Sequence, residues 1–315
     1  MLRQLTLIIV LLFIPLLAVH ATEIPTAKIQ RVIYITLDGT RWQDIYLTQQ
    51  PLAKFWKKYS SLATFYGRPG DANTIEVASV PVSLPSYQSQ MSGDVQPCFG
   101  NGCGRIHVET LGERLIRQGM KKKNVAVFSS WDEIANAAEH IEGSIFTNTG
   151  NFPVYDPDTH VSDSIMQFIN LRQAEDHPEG NVRFDKYTIA HALHYLEVYQ
   201  PTFMWISLND SDEAAHINDK SGYYQSLAHY DDFLDTLITK LKEMNLFENT
   251  MLIVTTDHGR GDGDQWTDHG REYPESKRTW AIVIHGELTP MGKDAEIIQY
   301  DTRSIRPAIE KALGM

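Results

Sequence analysis

Arg31-Val-Ile-Tyr-Ile-Thr-Leu37-Asp38 is the stretch on which the fold turns. A mostly apolar run of strand length stops at a carboxylate. Similar runs recur at Asn124–Phe128, Phe203–Leu208, Met251–Thr255 and Trp280–Ile284. Strands apolar on both faces are expected in a parallel sheet covered by helices. Helical spacing of apolar residues fills the intervals, at Glu109–Gln118, Asp185–Tyr199 and Ser221–Met244, and Thr302–Leu313 closes the chain. This alternation predicts an α/β fold, a doubly wound and mostly parallel sheet sandwiched by helices.

Ligands of open α/β sheets bind beyond the carboxyl ends of the strands, and the chemistry-bearing residues of this chain gather there. Asp38 follows the first run. Asp212 and His216 follow Phe203–Leu208, four apart, so that a helix would put both on one face. Asp257 and His258 follow Met251-Leu-Ile-Val-Thr-Thr256 on a turn ending in Gly259, and His269-Gly270 comes soon after. Each piece alone is weak. Together, six carboxylate and imidazole groups at strand ends predict a two-metal site. Asp/His ligand sets suit Zn2+ best, and Mn2+ or Fe2+ fit the same ligand types. Asp268, beside His269, either orients an imidazole or is a solvated loop carboxylate. Ser83-Leu-Pro-Ser-Tyr87 opens a short helical pattern that stops at Gly93. A serine at a helix start is either a nucleophile placed where the helix dipole favours an anion or simply an N-cap.

Met1-Leu-Arg-Gln4, the apolar run Leu5–Val19 and the small residues up to Ala21 predict a secretory signal peptide over residues 1–21, with an uncleaved anchor as the alternative. Residues 22–315 are then expected to form a single catalytic domain in the periplasm or outside the cell, without a membrane span. The chain is acidic, with a formal net charge of −12 at pH 7. Its one basic cluster, Lys121-Lys122-Lys123, suits a solvated turn better than a nucleic-acid surface. A phosphate partner would have to be captured by local positive charge. Cys98 and Cys103, the two cysteines, predict a local disulfide in an oxidising compartment, with a soft-metal pair as the alternative. The stretch 142–181, rich in Gly, Pro, Asn and Asp, predicts an irregular cap.

Taken in order, Asp38-Gly39-Thr40-Arg41, Ser83-Leu-Pro-Ser-Tyr87, Asp212-x-x-x-His216, Asp257-His258-Gly259 and His269-Gly270 resemble the alkaline phosphatase superfamily. The resemblance is to its type I phosphodiesterase/nucleotide pyrophosphatase branch, where an Asp-Gly-Phe-Arg opens the domain and a Thr-Phe-Pro-Asn-His carries the nucleophile. It implies an alkaline phosphatase-like fold and two Zn2+ sites. Asp212, His216 and His269 would hold one ion. Asp38, Asp257 and His258 would hold the other, which also binds the Ser83 oxygen. It further implies Asn101 as a hydrogen-bond donor to a phosphate oxygen. The activity it implies is hydrolysis of small-molecule phosphate esters, by a phosphodiesterase or phosphatase working through a phosphoseryl intermediate on Ser83.

The chain also departs from that pattern. The nucleophile is Ser where the branch usually has Thr, which keeps the hydroxyl. The segment from His258 to His269 lacks the long insertion of nucleotide pyrophosphatases, which bears on a nucleotide substrate. Tyr87 stands where a sulfatase would carry the Arg that follows its formylglycine precursor. A monoesterase needs extra positive charge for a dianion, and Arg41 and Arg105 are the candidates. The competing readings are a sulfatase, a phosphoryl transferase, a cofactor-independent mutase, and a non-catalytic metal-binding protein on the same fold.

Overall fold

The computed structural model describes residues 28–291 and 299–315; the expected leader, residues 1–21, lies outside the described residues. Among the described residues nine strands follow in chain order: β1 (Arg31–Leu37), β2 (Ala63–Tyr66), β3 (Ile75–Glu76), β4 (Val125–Ser129), β5 (Phe146–Thr149), β6 (Phe203–Leu208), β7 (Thr250–Thr255), β8 (Ala281–Ile284) and β9 (Tyr300–Asp301). Seven form one sheet in the order β2-β8-β7-β1-β6-β4-β5, and β3 pairs with β9 beside it. The helices ahead of β6 are α1 (Trp42–Tyr46), α2 (Ala53–Lys58), α3 (Ser83–Ser92), α4 (Leu111–Arg117), α5 (Ala135–Ala138), α6 (Ser164–Glu175) and α7 (Asp185–Tyr199). After it come α8 (Asp210–His216), α9 (Lys220–Glu243) and α10 (Ile305–Ala312).

Strand β1 occupies the centre of the sheet, parallel to β6 on one side and β7 on the other. Leu37 lies level with Leu208, and Thr36 with Thr255. The Asp38 N–H extends the ladder by donating to the Leu208 carbonyl at 2.9 Å. This register aligns three strand ends, so Asp38, the start of α8 and the Asp257-His258 turn share one edge of the sheet.

Alternate residues of each central strand face opposite layers. Ile33, Ile35 and Leu37 of β1, with Met204 and Ile206 of β6, pack against α7 and α9. Val32 and Tyr34, with Phe203 and Trp205, pack against α3, α4 and α10. Both faces are therefore dry, which is why the strands read as continuous apolar runs. Among the described residues no helix is long and apolar enough to cross a membrane.

Three features differ from the sequence expectation. Strand β8, expected as one more covered parallel strand, runs antiparallel to β7 and to β2. The chain between β7 and β8 holds only the short turns Gly263–Gln265 and Pro274–Lys277. A parallel return needs a crossover, usually a helix, so the chain reverses instead. The stretch 142–181 is not irregular throughout, since it contributes edge strand β5 and helix α6. Phe146-Thr-Asn-Thr149 pairs on one side only and carries no apolar run that would betray it. Helix α6 starts where the Asp163 side chain accepts from the Ile165 and Met166 N–H groups. Third, β2 is a short edge strand, mostly half-buried, and carries no long apolar run to mark it.

Two consequences can be measured. Leu52 precedes α2 and cannot cap it with a side chain. The Asp231 carboxylate of α9 does so from a distance, accepting from Lys54 N–H at 2.7 Å and Phe55 N–H at 2.8 Å. Asp231→Ala strands these donors and should cost about 2 kcal/mol in urea denaturation; a change under about 0.5 kcal/mol would remove the cap from the account. His191 on α7 is buried, with neither ring nitrogen hydrogen-bonded. Burial first, then Arg183, pushes its pKa down from 6.5 to about 3. The unfolded chain takes up this proton below about pH 6.5 while the native state refuses it, so stability is lost as pH falls from about 6.5 towards 3. His191→Met should flatten that limb of the stability–pH curve relative to the wild-type chain; superimposable curves would count against the assignment.

Candidate active site

The nucleophile candidate sits at the start of α3. The N-cap position belongs to Val82, which has extended backbone angles, and Ser83 is the first helical residue. Its hydroxyl is therefore not spent as an N-cap. Ser83 Oγ lies 3.3 Å from His258 Nε2, and the side chain is buried. Ser86 Oγ donates to the Asp257 carbonyl at 2.6 Å, which locks α3 to the turn after β7.

Two groups of candidate ligands flank this serine. Asp38, Asp257 and His258 form one, Asp212, His216 and His269 the other, and within each group the ligand atoms lie within 4.8 Å of one another. In the first, His258 Nε2 is 3.2 Å from Asp257 Oδ2 and 3.7 Å from Asp38 Oδ1. Both oxygens are buried and have no hydrogen-bond partner. The other oxygens are occupied: Tyr87 O–H donates to Asp38 Oδ2 and Gly39 N–H to Asp257 Oδ1, each at 3.0 Å. His258 Nδ1 faces the Gly259 carbonyl at 2.9 Å, which puts the ring proton there and leaves Nε2 a bare lone pair. Two orphan carboxylate oxygens thus converge on an imidazole lone pair, and the Ser83 hydroxyl, which reaches Nε2, leaves both oxygens without a donor. A buried acceptor left unpaired is costly, and a cation is the chemical species that satisfies all three.

The second group has the same logic but lies nearer solvent. Helix α8 holds Asp212 and His216 on one face, with Oδ2 and Nε2 3.0 Å apart. His269 Nδ1 meets the Pro81 carbonyl at 3.0 Å, so its Nε2 is also a lone pair, 3.4 Å from His216 Nε2. The two groups touch through the stacked rings of His258 and His269, whose centroids are 3.8 Å apart at 14°.

Electrostatics express the same frustration. Burial, then the charge of Asp257, raises the Asp38 pKa well above the usual carboxylate range. Burial raises that of Asp257 too. Burial lowers His258 to about 3, and burial together with His258 lowers His269 to about 2. Metal coordination requires neutral imidazoles and ionised carboxylates. The fold keeps the imidazoles neutral by itself, whereas the carboxylates need a positive neighbour.

Other candidates fall out differently. Asn101 Oδ1 accepts from Leu84 N–H at 3.0 Å, so the amide sits at the residue after Ser83. Asp268 does not orient an imidazole: its carboxylate accepts from the neighbouring Thr267 hydroxyl at 2.8 Å, and the Pro81 carbonyl holds His269. Arg41 is committed to Asp44 at 2.7 Å. Arg105 donates to the Ala135 and Glu139 carbonyls at 2.8 and 3.0 Å, away from both groups. Cys98 and Cys103 are joined in a disulfide.

Two contributors escaped the sequence reading. Tyr87, noticed only as a missing Arg, orients Asp38. Arg260 is buried and donates to the Gly39 carbonyl at 3.0 Å, the Thr267 carbonyl at 2.6 Å and the Asp212 carboxylate. Burial lowers its pKa to about 10, so it stays charged at neutral pH. Gly39 is needed beneath it: φ is +61°, and a Cβ would lie 2.3 Å from Asp212 Oδ1 and 2.7 Å from Arg260 Nη2. The only hint in the sequence is that Arg260 closes the run Asp257-His258-Gly259-Arg260. Arg260→Met leaves Asp212 buried without its counter-charge and should destabilise by about 3–5 kcal/mol in a chemical melt; a loss below about 1 kcal/mol would show the pair to be dispensable.

The family model described as type I phosphodiesterase / nucleotide pyrophosphatase matches residues 109–304, more than half of the chain. That range contains Asp212, His216, Asp257, His258 and His269; Asp38 and Ser83 lie before it. The phosphopentomutase of Dictyoglomus thermophilum is 33% identical over 98 residues, 29% of this chain and 24% of that protein. The matched region therefore spans about a quarter of that relative's length. Among solved structures, the alkaline phosphatase of the Antarctic bacterium TAB5 superposes with a TM-score of 0.54 at 14% identity, covering 91% of this chain and 98% of the other. The lipoteichoic acid synthase LtaP of Listeria monocytogenes gives 0.57 at 11% identity, covering 92% and 73%. At such identities these two establish a shared fold, that of the alkaline phosphatases, and nothing finer. The long family match, together with this fold, identifies the chain as a member of the type I phosphodiesterase / nucleotide pyrophosphatase family.

Proposed function

We propose that this chain is an exported two-metal hydrolase of small phosphate esters, a phosphodiesterase or phosphatase, with Ser83 as the nucleophile. One observation carries the reading: Ser83 Oγ lies 3.3 Å from the lone-pair nitrogen of His258, where the orphan oxygens of Asp38 and Asp257 also converge. Asp38, Asp257 and His258 would hold one divalent cation, and Asp212, His216 and His269 a second. When bound, such ions supply Lewis acidity and positive charge for a phosphoryl group. Zn2+ suits the mixture of imidazole and carboxylate ligands.

The chain's own residues then have separate tasks. Ser83 attacks phosphorus from the first turn of α3, where the helix dipole favours negative charge. The departing ester oxygen leaves a phosphoseryl group, and hydrolysis of that group regenerates Ser83. Asn101 spends its carbonyl oxygen on Leu84 N–H, which leaves its NH2 as a donor for a phosphate oxygen. Tyr87 and Gly39 each occupy one oxygen of a carboxylate and so aim the other. Arg260 fixes Asp212 against the strand ends. The Cys98–Cys103 disulfide supports an oxidising compartment and thus export.

The test compares p-nitrophenyl phosphate, bis-p-nitrophenyl phosphate, a nucleotide p-nitrophenyl ester and p-nitrophenyl sulfate on the Zn2+-loaded protein. Hydrolysis of a phosphate ester is expected, and dominant sulfate hydrolysis would sink the reading. Ser83→Ala should lower kcat by roughly a thousandfold or more, while metal content by atomic absorption stays at the wild-type level. Free Zn2+ at about 100 times its Kd should stabilise the fold by about 2.7 kcal/mol, and a melting temperature indifferent to Zn2+ and to chelation would exclude the metal centre.

A further inference from the structure

The disulfide lies next to the candidate nucleophile. It closes the loop Cys98-Phe-Gly-Asn-Gly-Cys103, and the Asn101 side chain of that loop accepts from the N–H of Leu84, directly after Ser83. The loop contains no helix or strand. A Cβ added at Gly100 or Gly102 would meet nothing within 4 Å, so no side chain packs on that side of either glycine. Firm anchors exist only at its ends: Cys98 is buried, and the Gly104 carbonyl accepts from Gln88 of α3 at 2.8 Å. Between them, the Cys103 N–H to Gly100 carbonyl bond, 3.3 Å long, is the one backbone bond within the loop. The loop also reaches the other side of the site, where the Arg271 guanidinium lies over the Phe99 ring at 5.4 Å, two residues from His269.

We propose that Cys98 and Cys103 are positioning residues for the reaction: their disulfide holds the Asn101 amide at the start of α3, and opening it lowers turnover. The proposal rests on the hydrolase reading above. A glycine-rich arc has many conformations, and ordering it costs entropy for every residue held. The S–S bond removes most of those conformations in advance. Without it, the part-buried Leu84–Asn101 hydrogen bond, the long Cys103–Gly100 bond and one cation–π contact must order the arc, and contacts of that kind are weak. Asn101 then spends much of its time away from Leu84, and the NH2 donor goes with it. The metal groups should be unaffected, because none of their hydrogen bonds involves the loop.

The experiment uses the full chain with Zn2+ in excess. Tris(2-carboxyethyl)phosphine converts the disulfide to two thiols, with water supplying the oxygen of the phosphine oxide formed. Turnover of bis-p-nitrophenyl phosphate and p-nitrophenyl phosphate is followed before and after, together with bound zinc. Reduction should lower kcat by roughly 10- to 100-fold, up to the lower end of the roughly 100- to 1,000-fold lost when one donor to a transition-state oxygen is removed outright, with bound zinc unchanged. Asn101→Ala should show a similar loss when oxidised and no further loss on reduction, because both changes remove the same interaction. The double variant Cys98→Ser/Cys103→Ser should behave like the reduced wild-type chain. Equal turnover in both redox states, or an Asn101→Ala variant as sensitive to reduction as wild type, would overturn the positioning role and leave the hydrolase reading intact. An oxidised protein that hydrolyses neither ester would overturn both.

Discussion

The oxygens of Asp38 and Asp257 that face His258 Nε2 are buried, acceptor-only and without a donor. The ring proton of His258 is held at the Gly259 carbonyl on the far side, so the imidazole turns a lone pair, not a proton, towards these oxygens. Burial of unpaired carboxylates is expensive, and the surrounding structure keeps them in place nonetheless. β1 and β7 are adjacent parallel strands that end level, so Asp38 and Asp257 must meet. Gly39 N–H and Tyr87 O–H each occupy one oxygen and leave the other facing inward. The arrangement makes physical sense as the protein half of an ion site.

The second group is built on a different support. Helix α8 begins two residues after β6 and carries Asp212 and His216 one turn apart, while His269 arrives on the loop that turns back towards β8. What keeps this loop against the sheet edge is Arg260, whose guanidinium joins the Gly39 carbonyl, the Thr267 carbonyl and Asp212. The stacked rings of His258 and His269 then fix the spacing between the groups. The ligands nearest the core are rigid and dry, and His216 remains exposed. The ion held by the first group would therefore be the more deeply enclosed of the two.

Much of this was legible in the residue order. The covered strands announced themselves as apolar runs because both faces are dry, and their ends identified the ligand-bearing edge. The elements that escaped were those whose stability comes from neighbours. β5 and β2 are short edge strands, and α2 starts only because Asp231 of α9 supplies its cap. The antiparallel β8 was misjudged because its composition suits a covered strand in either direction, while direction depends on how the connection runs. The residue order left Asp268 open between an orienting group and a loop carboxylate, because adjacency in sequence says nothing about which way two loop side chains point.

The sequence by itself determined the layer architecture, the six ligand types and the serine at a helix start, because each depends on periodicity or on order along the chain. The division of those ligands into two groups was already implied by the resemblance of the ordered motifs, whereas tertiary structure decided how they face one another, since that follows from strand register. It also decided that carbonyls of Gly259 and Pro81 set the imidazole tautomers, and that Arg260 and Tyr87 belong to the site while Arg41 and Arg105 do not. A guanidinium or a phenol has the same chemistry wherever it stands in the chain. What it does is set by the partner within about 3 Å of it, and that partner is chosen by packing between residues far apart in sequence.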